Sequence, residues 1–490
     1  VKTSRVFKER KAMKGYEIVI GIEVHVELST KSKIFCGCST EFGGNPNTRC
    51  CPVCIGMPGA LPVLNKKVLE YAIGIGLALN CDITKESNFD RKNYFYPDLP
   101  KAYQTSQLYS PIGRNGSIEI DIKDKRKTIG IHEIHMEEDA GKLIHDPIGD
   151  HTLVDYNRSG IPLIEIVSQP DMNSKEEAIA FLEKLRLILQ YLGVSDCKMQ
   201  EGSFRGDINL SVRKKGQKEL GTRTEMKNMN SFKAIGRAID YEANRQIELL
   251  ESGKKVVQET RRWDDGKGMN ESLRTKGDSK DYRYFPDPDL VTIAVDEFWI
   301  EEIRKNQPEL RDDKIKRYKK DYHLPHYDAE IITSSKHLAK LFEETVKICN
   351  NPKEVSNWLM VETMRLVREK EMEVEEITFH PSNLAKLIDL IIRGKVNRTI
   401  AKEIFELIFN NNIDPHIYVK EHKLGMVDDK EVLLQVVMDV LKENPESVKD
   451  YKNGKDKALR HLMGQTMKKM KGKADPVLVS NLLKEELSKE

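Results

Sequence analysis

The sequence predicts an α+β protein in which a strand-rich region comes first and all-α domains follow. From residue 14 to about 295, several segments alternate polar and apolar residues, as GIEVHVEL does at residues 21–28. Beyond that point the apolar residues recur at helical spacing, as in HLAKLFEETVKICN and NLAKLIDLIIRGK. A period of two indicates strands with one buried face and a period of three to four indicates helices, so we expect the two regions to differ in architecture.

The first predicted strand carries the strongest functional signal. In GIEVHVEL, Glu23, His25 and Glu27 lie on one face and the apolar residues on the other. A solvated outer face explains one such strand, but four of them predict a concave surface suited to metal ions and phosphate. The other three are FRGDINLSVR, IHEIHMEEDAG and GTRTEMKN, with polar positions at Arg205, Asp207, Asn209, Ser211, Arg213, Glu133, His135, Glu137, Arg223, Glu225 and Lys227.

Two long helices are expected to interrupt the strands. KEEAIAFLEKLRLILQYLG ends at Gly193, and FKAIGRAIDYEANRQIELLESG ends at Gly253. Glycine commonly follows a helix end because it adopts a left-handed backbone conformation without a steric cost. The strand-rich region is therefore expected to be mixed α+β.

Five of the eight cysteines fall between residues 36 and 54, in the segments FCGC and NTRCCPVCIGMPG. Thiols this dense in a cytosolic chain are more often metal ligands than disulfides, although a redox CxxC pair and free thiols are alternatives. Two close pairs predict a tetrahedral zinc site formed by Cys36, Cys38, Cys51 and Cys54. Cys50 could replace Cys51 in this set.

Size and charge limit the class of protein. The chain has 490 residues, enough for two to four domains, and its content of 39% hydrophobic and 32% charged residues is typical of soluble globular proteins. Lys and Arg number 80 against 78 Asp and Glu, so a nucleic-acid partner would need a local basic patch. No apolar stretch reaches the length of a membrane span and no signal-peptide core is present, so we expect a cytoplasmic location.

The expected domain boundaries follow the changes of pattern. Residues 1–13 are basic and lack an apolar period, so we expect a disordered N-terminal extension; a transit peptide is the alternative, although Glu9 disfavours it. Residues 14–295 should form the domain with the zinc site, residues 296–405 a helical domain and residues 406–490 a helical tail domain. Neither a GxxxxGK[ST] phosphate loop nor a GxSxG elbow is present, so any use of ATP should be metal-assisted and free of a Walker loop.

Seven long motifs, taken together, resemble those of one family. They are GIEVHVEL, RKNYFYPDLPKAYQTSQ, HMEEDAGKL, LVDYNRSGIPLIEIVSQPD, EGSFRGDINLSVR, TEMKNMNSFKAI and DYRYFPDPDL. In this order they resemble the B-subunit family of the aspartyl/glutamyl-tRNA(Asn/Gln) amidotransferases, and the similarity covers nearly the whole chain after residue 15. The resemblance implies a cradle domain related to the glutamine synthetase and guanidino-kinase catalytic fold.

The resemblance also implies a reaction. ATP would phosphorylate the side-chain carboxylate of Glu-tRNA(Gln) or Asp-tRNA(Asn), and ammonia would displace the phosphate to give Gln-tRNA(Gln) or Asn-tRNA(Asn). Phosphorylation is needed because the oxide of a carboxylate is a poor leaving group. Bringing the anionic carboxylate and the phosphates of ATP together requires Mg²⁺ and basic side chains. The ammonia would come from glutamine through a separate amidase subunit, with a small third subunit completing a heterotrimer.

The resemblance assigns roles to individual residues. His25, Glu138 and Glu165 would face Mg²⁺, with Glu23, Asp207 and Glu225 completing the acidic lining. The candidates to hold phosphates are Arg158, Arg205, Arg213 and Lys227, with a structural ion pair as the alternative for each arginine. Tyr94, Phe95 and Tyr96 would stack on ATP or on the terminal adenosine of the tRNA, unless they are core residues.

The tail contains a basic segment. Between residues 449 and 473 there are nine Lys or Arg residues and only two acidic residues. The resemblance implies that this segment binds the tRNA body by its phosphates and shape, whereas a solvated basic helix is the alternative. Two other functions stay open: a ligase that amidates a small carboxylic acid, which would not need a basic tail, and a zinc-containing RNA-binding scaffold without catalysis.

Overall fold

The computed structural model describes residues 15–123, 125–146, 149, 151–275, 281–425, 430–470 and 473–489. The expected extension at residues 1–13 lies outside the described residues. The chain divides into two compact units, Val1–Leu310 and Arg311–Glu490. The helix Glu297–Lys305 thus belongs to the first unit, where Ile300 joins the core, so the division falls after this helix and not at residue 295.

The first unit is built on a large, mostly antiparallel sheet. Its strands in the described residues are β1 (Tyr16–Glu27), β2 (Asp82–Ile83), β3 (Glu86–Ser87), β4 (Asp90–Asn93), β5 (Tyr103–Ser106), β6 (Gly113–Ile122), β7 (Lys125–Glu138), β8 (Lys142–His145), β9 (Thr152–Asp155), β10 (Pro162–Ser168), β11 (Phe204–Lys214), β12 (Thr224–Lys227), β13 (Glu259–Asp264), β14 (Met269–Thr275), β15 (Phe285–Pro286) and β16 (Ile293–Ala294). Nine of them form one sheet in the order β14-β13-β12-β11-β1-β10-β7-β6-β2, in which β12 and β13 pair in parallel. The central strands therefore come from distant parts of the chain.

The register of the central strands sets the polar face of the sheet. His25 on β1 lies opposite Glu165 on β10 and opposite Arg205 on β11. Glu23 lies opposite Asp207 on β11. Directly opposed residues on neighbouring strands project to the same face, so the predicted polar positions share one side of the sheet.

The apolar face of the sheet forms the core of the first unit. Ile22, Val24 and Val26 of β1 are buried there, together with residues of four helices. The helices of this unit are α1 (Lys66–Ala78), α2 (Lys175–Leu192), α3 (Phe232–Glu251) and α4 (Glu297–Lys305). Helix α2 ends at Gly193, whose φ of 74° is left-handed, as the sequence predicted.

In the described residues of the second unit, the regular elements are all helices. Its helices are α5 (Arg311–Asp321), α6 (His326–Ile332), α7 (Lys336–Cys349), α8 (Pro352–Asn357), a π-helical turn (Trp358–Thr363), α9 (Met364–Glu369), a 3₁₀ turn (Val374–Glu376), α10 (Pro381–Ile392), α11 (Arg398–Asn411), α12 (Pro415–Glu421), α13 (Lys430–Glu443), α14 (Pro445–Lys452), α15 (Asp456–Lys469) and α16 (Pro476–Leu487). They form two hydrophobic clusters, and α11 and α12 belong to the first through Ile408 and Val419. The second cluster begins at Leu433, so the change from one hydrophobic cluster to the next lies beyond residue 406, where the tail domain was expected to begin.

The predicted fold class is confirmed at the level of a sheet-based α+β domain followed by helices; the likeness to the glutamine synthetase fold stays a prediction. In the part of the chain that the structure describes, no helix combines the length and apolar character needed to cross a membrane.

Candidate active site

Three strands bring His25, Glu137 and Glu165 together, and we call this group cluster A. The donor atoms of the three side chains lie within 4.8 Å of one another. His25 Nε2 is 3.4 Å from Glu165 Oε2 and 3.6 Å from Glu137 Oε1. The buried His135 supports the group, because its Nε2 lies 3.0 Å from Glu165 Oε2.

The charges of cluster A partly compensate one another. Burial lowers the pKa of His25, but the hydrogen bond to Glu165 and the charges of Glu165 and Glu137 outweigh burial and raise that pKa to about 9. Burial raises the pKa of Glu165, but His135 and His25 together hold it well below its ordinary value. The pKa of Glu137 is raised by burial and by the Glu165 charge. Two carboxylates and an imidazole thus form an anionic group that a divalent cation would stabilise.

The resemblance assigned Glu138 to this group, but the structure places Glu137 there. Adjacent residues on a strand project to opposite faces, so Glu138 points away from cluster A. Its buried carboxylate accepts a hydrogen bond of 2.9 Å from the Thr105 amide and pairs with Lys101. The alternation in IHEIHMEEDAG, which put Glu137 on the polar face, was the better guide at this position.

A second group, cluster B, contains Glu23, Asp207 and Glu225 from β1, β11 and β12. Their donor atoms also lie within 4.8 Å of one another. Lys227 Nζ is 2.5 Å from Asp207 Oδ2 and 2.8 Å from Glu225 Oε1. The pKa of Glu23 is raised by burial and by the charges of Glu165 and Glu225. Lys227 therefore lies among carboxylates, at a position where it could also contact a phosphate.

A cavity of about 240 Å³ lies between the two clusters. Its lining includes His25 and Glu137 of cluster A together with Asp207 of cluster B and Lys227. Arg205 and Asp139 also line it. A group bound here would reach residues of both clusters.

Of the three predicted arginines, the structure places two next to this cavity. Arg205 Nη2 lies 3.1 Å from Asp139 Oδ2, and Arg158 Nε lies 3.5 Å from the same oxygen. Arg213 instead pairs with Glu17 at 3.1 Å. It lies six residues beyond Asp207 along β11, which corresponds to about 20 Å at the rise per residue of a strand. The alternation of polar and apolar residues predicted the correct face for Arg213, but it carried no information on how far along the strand Arg213 lies from the two clusters.

The sequence did not single out the two carboxylates that interact electrostatically with these arginines, Asp139 and Glu27. Burial raises the pKa of Asp139, but Arg205 and Arg158 outweigh it and lower that pKa overall. Burial and the neighbouring Asp139 raise the pKa of Glu27 to about 8. Glu27 already stood on the polar face of β1 in the sequence, so alternation was the available signal.

The predicted aromatic residues separate in the structure. Tyr94 lines the cavity and meets Tyr282 edge-on, with ring centroids 5.8 Å apart. Phe95 and Tyr96 are 82% and 54% exposed. Tyr284, which was not selected from the sequence, packs beside Tyr282, and its pKa is raised by burial and by the charges of Glu137 and Glu165.

A second cavity, of about 440 Å³, adjoins cluster B at Glu23. Its lining is polar on several sides and includes Gly21, Ser168, Asn209, Ser211, Thr222 and Arg223. Sequence patterns do not reveal the cavity because distant segments build it.

The four predicted zinc ligands come together, with Cys51 and not Cys50 in the set. Sulfur atoms of the cysteine cluster (Cys36, Cys38, Cys51 and Cys54) lie within 4.8 Å of one another. Cys50 Sγ instead lies 3.3 Å from Asn47 O. The hydrogen bond with Cys36 lowers the pKa of Cys54 to about 5 against the effect of burial. Four converging sulfur donors fit a tetrahedral Zn²⁺ site.

The basic segment of the tail is largely exposed. Its described members are Lys449, Lys452, Lys455, Lys457, Arg460, Lys468, Lys469 and Lys473, whereas Lys471 lies outside the described residues. Lys455 pairs with Asp450 at 2.9 Å and Lys469 pairs with Glu443 at 2.6 Å. Helices α14 and α15 present most of these side chains to solvent.

Comparison with known proteins identifies two family matches. Residues 18–301 match the family described as the GatB/GatE catalytic domain, and residues 340–487 match the GatB domain. A relative from Lachnoclostridium phytofermentans is 68% identical over 97% of this chain and all of its own length. Relatives from Agathobacter rectalis and Caldicellulosiruptor bescii are 61% and 60% identical, over 96% and 97% of this chain and 100% and 99% of theirs. Each of the three is named as the B subunit of an aspartyl/glutamyl-tRNA(Asn/Gln) amidotransferase.

Proposed function

Since the chain belongs to the B-subunit family of the aspartyl/glutamyl-tRNA(Asn/Gln) amidotransferases, we propose that it activates the side-chain carboxylate of Glu-tRNA(Gln) or Asp-tRNA(Asn) with ATP. The chain is a subunit of a ligase-type enzyme complex. A carboxylate oxygen attacks the γ-phosphorus and ADP leaves, which gives an acyl phosphate. Ammonia then attacks the acyl carbon, and phosphate leaves with the former carboxylate oxygen.

The observation that carries the proposal is the pair of carboxylate clusters on one sheet face with a cavity between them. Clusters A and B each offer carboxylate oxygens, the ligands that Mg²⁺ prefers. Bound magnesium would supply positive charge to the phosphoryl oxygens during transfer. His25 is the less usual donor for this ion, and it stands where it could also act through a water molecule.

The basic side chains around the cavity serve the transferring phosphate. Arg205 can offer two N–H groups in a fixed fork, and Asp139 holds that fork at the cavity wall. Lys227 offers a point charge between Asp207 and Glu225. Arg158 is fixed by the carbonyls of Ala140 and Gly141, so we assign it to orienting Asp139.

We assign the second cavity to the nucleoside of ATP. It adjoins Glu23 of cluster B, so a nucleotide there would direct its phosphates toward that cluster. Hydroxyl and amide groups of Ser211, Asn209 and Thr222 provide hydrogen-bonding partners for a ribose and a base. Tyr94 lines the other cavity, so its proposed stacking partner is the terminal adenosine of the tRNA and not the adenine of ATP.

The remaining assignments concern partners. We propose that an amidase subunit and a small third subunit complete the complex, since no amidase nucleophile is evident in this sequence. The exposed lysines of α14 and α15, together with Arg460, would bind tRNA phosphates. We assign Zn²⁺ to the cysteine cluster as a structural ion, because four cysteines leave no open coordination position for catalysis.

The experiment compares Glu137→Gln with Glu119→Gln in the purified complex. The first change removes a charge from cluster A, and the second removes an exposed carboxylate from β6 of the same sheet. Each complex receives Glu-tRNA(Gln), Mg²⁺, γ-labelled ATP and an ammonium salt, and both Gln and phosphate are measured.

Loss of several kcal/mol of transition-state stabilisation predicts a fall of at least about a hundredfold for Glu137→Gln. Affinity for the tRNA should be unchanged, and Glu119→Gln should match the wild type. Gln formation at the wild-type rate by Glu137→Gln would support a non-catalytic RNA-binding scaffold. Equal ATP cleavage with free glutamate and with Glu-tRNA(Gln) would support a ligase for small acids.

A further inference from the structure

A buried lysine stands beside the cysteine cluster. The side chain of Lys33 is 0% exposed. Its Nζ lies 3.6 Å from Cys54 Sγ and 3.4 Å from the carbonyl oxygen of Tyr156. Within the described ranges of the chain, Lys33 forms no ion pair with a carboxylate. The nearest group able to carry a negative charge is thus a cysteine sulfur.

This environment has a direct electrostatic consequence. Removing an ammonium group from water is strongly unfavourable unless an opposite charge lies close to it. Four thiolates around one divalent cation carry a formal net charge of about −2. An occupied cysteine cluster therefore supplies the negative charge that the ammonium group of Lys33 needs as a partner. In return, the single positive charge of Lys33 neutralises half of the net negative charge of the cluster.

The region around the cluster is also bonded to the segment at residues 154–160. Both partners contribute main-chain and side-chain groups, so the contact is a continuous row of hydrogen bonds. They join Asn47 Nδ2 to Val154 O (2.9 Å), Asn47 N to Asp155 Oδ1 (3.0 Å), Tyr156 N to Asn47 Oδ1 (2.7 Å), Arg49 N to Asn157 Oδ1 (2.8 Å), Ser159 Oγ to Cys54 O (2.9 Å) and Ile34 N to Gly160 O (3.0 Å).

The 154–160 segment leads into the candidate active site. It contains Arg158, whose guanidinium contacts Asp139 at the cavity wall. Strand β10 follows directly and carries Glu165 of cluster A. A displacement of this segment would therefore move an arginine of the site.

We propose that Lys33 is the buried counter-charge of the occupied cysteine cluster and that, through Tyr156, it makes the position of the 154–160 segment depend on that occupancy. Without the metal, the four sulfur atoms no longer hold the negative charge of a metal–thiolate cluster, so the compensating charge beside the ammonium group of Lys33 is reduced and this group recruits water. Its bond to Tyr156 O and the neighbouring row of hydrogen bonds then weaken. Lys33 is in this account a positioning residue that acts through the cluster and the segment. The inference rests on the assignment of Zn²⁺ to the cluster.

The first test measures zinc retention in the full complex. Lys33→Met keeps the length of the side chain and removes its charge, and Lys31→Met makes the same change at an exposed position two residues away. Zinc release to a colorimetric chelator should be about tenfold faster or more for Lys33→Met, the usual scale for an outer-sphere partner. Lys31→Met should match the wild type. Equal rates for all three proteins would overturn the proposal.

The second test needs no variant, so a folding defect of Lys33→Met cannot obscure it. Hydrogen exchange is followed in the wild-type complex before and after the chelator removes zinc. Protection should fall about tenfold or more at the amides of Arg49 and Tyr156, with helix α10 unchanged as the reference. Unchanged protection of these amides after zinc loss would contradict the proposed link.

A Cys38→Ser complex separates failure of this inference from failure of the metal assignment. Wild-type complex that holds no more zinc than Cys38→Ser would reject the zinc site, and the role of Lys33 with it. One extra zinc per chain in the wild type, together with release that does not depend on Lys33, would reject the counter-charge alone and leave the zinc site and the proposed amidation intact.

Discussion

Clusters A and B share one sheet face but differ in the cation that each already contains. In cluster A the positive charge is the imidazolium of His25, backed by His135. In cluster B it is the ammonium of Lys227. An imidazolium can lose its proton and become a metal ligand, whereas Asp207 and Glu225 raise the pKa of Lys227 against the effect of burial, so its ammonium group keeps its proton and competes with a metal ion. We therefore expect cluster A to bind a divalent ion by itself and cluster B to bind one mainly together with the phosphates of ATP.

Removing the carboxylate that both histidines share should have the largest effect. Glu165→Gln leaves His25 and His135 without their common partner, and breaking a buried ion pair costs about 3–5 kcal/mol. We expect phosphate release dependent on Glu-tRNA(Gln) to fall about a thousandfold in single-turnover assays. The Mn²⁺ bound without ATP, counted by electron paramagnetic resonance, should also be lost. If Glu165→Gln retained that ion, the proposal that cluster A binds a divalent ion by itself would be contradicted.

A change in cluster B should be nearly as damaging to turnover but different in its metal binding. Asp207→Asn removes one carboxylate from the group with Glu23 and Glu225. We expect Gln formation to fall about a hundredfold or more. The ATP-independent Mn²⁺ should stay, and only the ion that arrives with ATP should be lost. Equal loss of both ions would show that the two clusters act as one site.

Lys227→Met sharpens the comparison further. The change leaves the three carboxylates of cluster B without their ammonium partner, so their negative charge is uncompensated. We expect cluster B to bind Mn²⁺ without ATP about tenfold more tightly, while Gln formation falls about tenfold because a phosphate contact is lost. Isothermal titration with Mn²⁺ measures the first effect. Weaker Mn²⁺ binding would contradict the role given to Lys227.

The smallest effect on metal binding is expected at Glu138. Its carboxylate faces Thr105 and Lys101 on the other side of the strand, so Glu138→Gln should leave both Mn²⁺ ions in place. Stability should fall by about 1–3 kcal/mol, because Lys101 loses its charged partner. Urea unfolding and Mn²⁺ counting check the two statements. Loss of an ion would restore Glu138 to the ligand set that the resemblance implied.

Alternation in the sequence predicted the faces of the central strands but not their partners. It placed Glu23, His25 and Asp207 on polar faces, where the structure has them. It could not show that β10 lies between β1 and β7, because strand order depends on contacts between distant segments. The resemblance selected Glu138 and Arg213, and the structure puts neither in cluster A or cluster B.

Features that are formed by segments distant from one another in the sequence were not evident from the sequence. The cavity beside Glu23 is lined by parts of β1, β10, β11 and the loop before β12. Lys33 belongs to no polar pattern, and only its complete burial next to Cys54 makes it informative. The cysteine pairs were predictable because short spacing alone brings their sulfur atoms close together.

The central claim is that ATP phosphorylates the side-chain carboxylate of the aminoacyl-tRNA. The most direct test charges tRNA(Gln) with glutamate labelled with ¹⁸O in its side-chain carboxylate and supplies it to the wild-type complex with Mg²⁺, ATP and an ammonium salt. The account predicts one ¹⁸O atom in the released phosphate for each Gln formed, detected by mass spectrometry. Gln formed with phosphate that carries no ¹⁸O would contradict it.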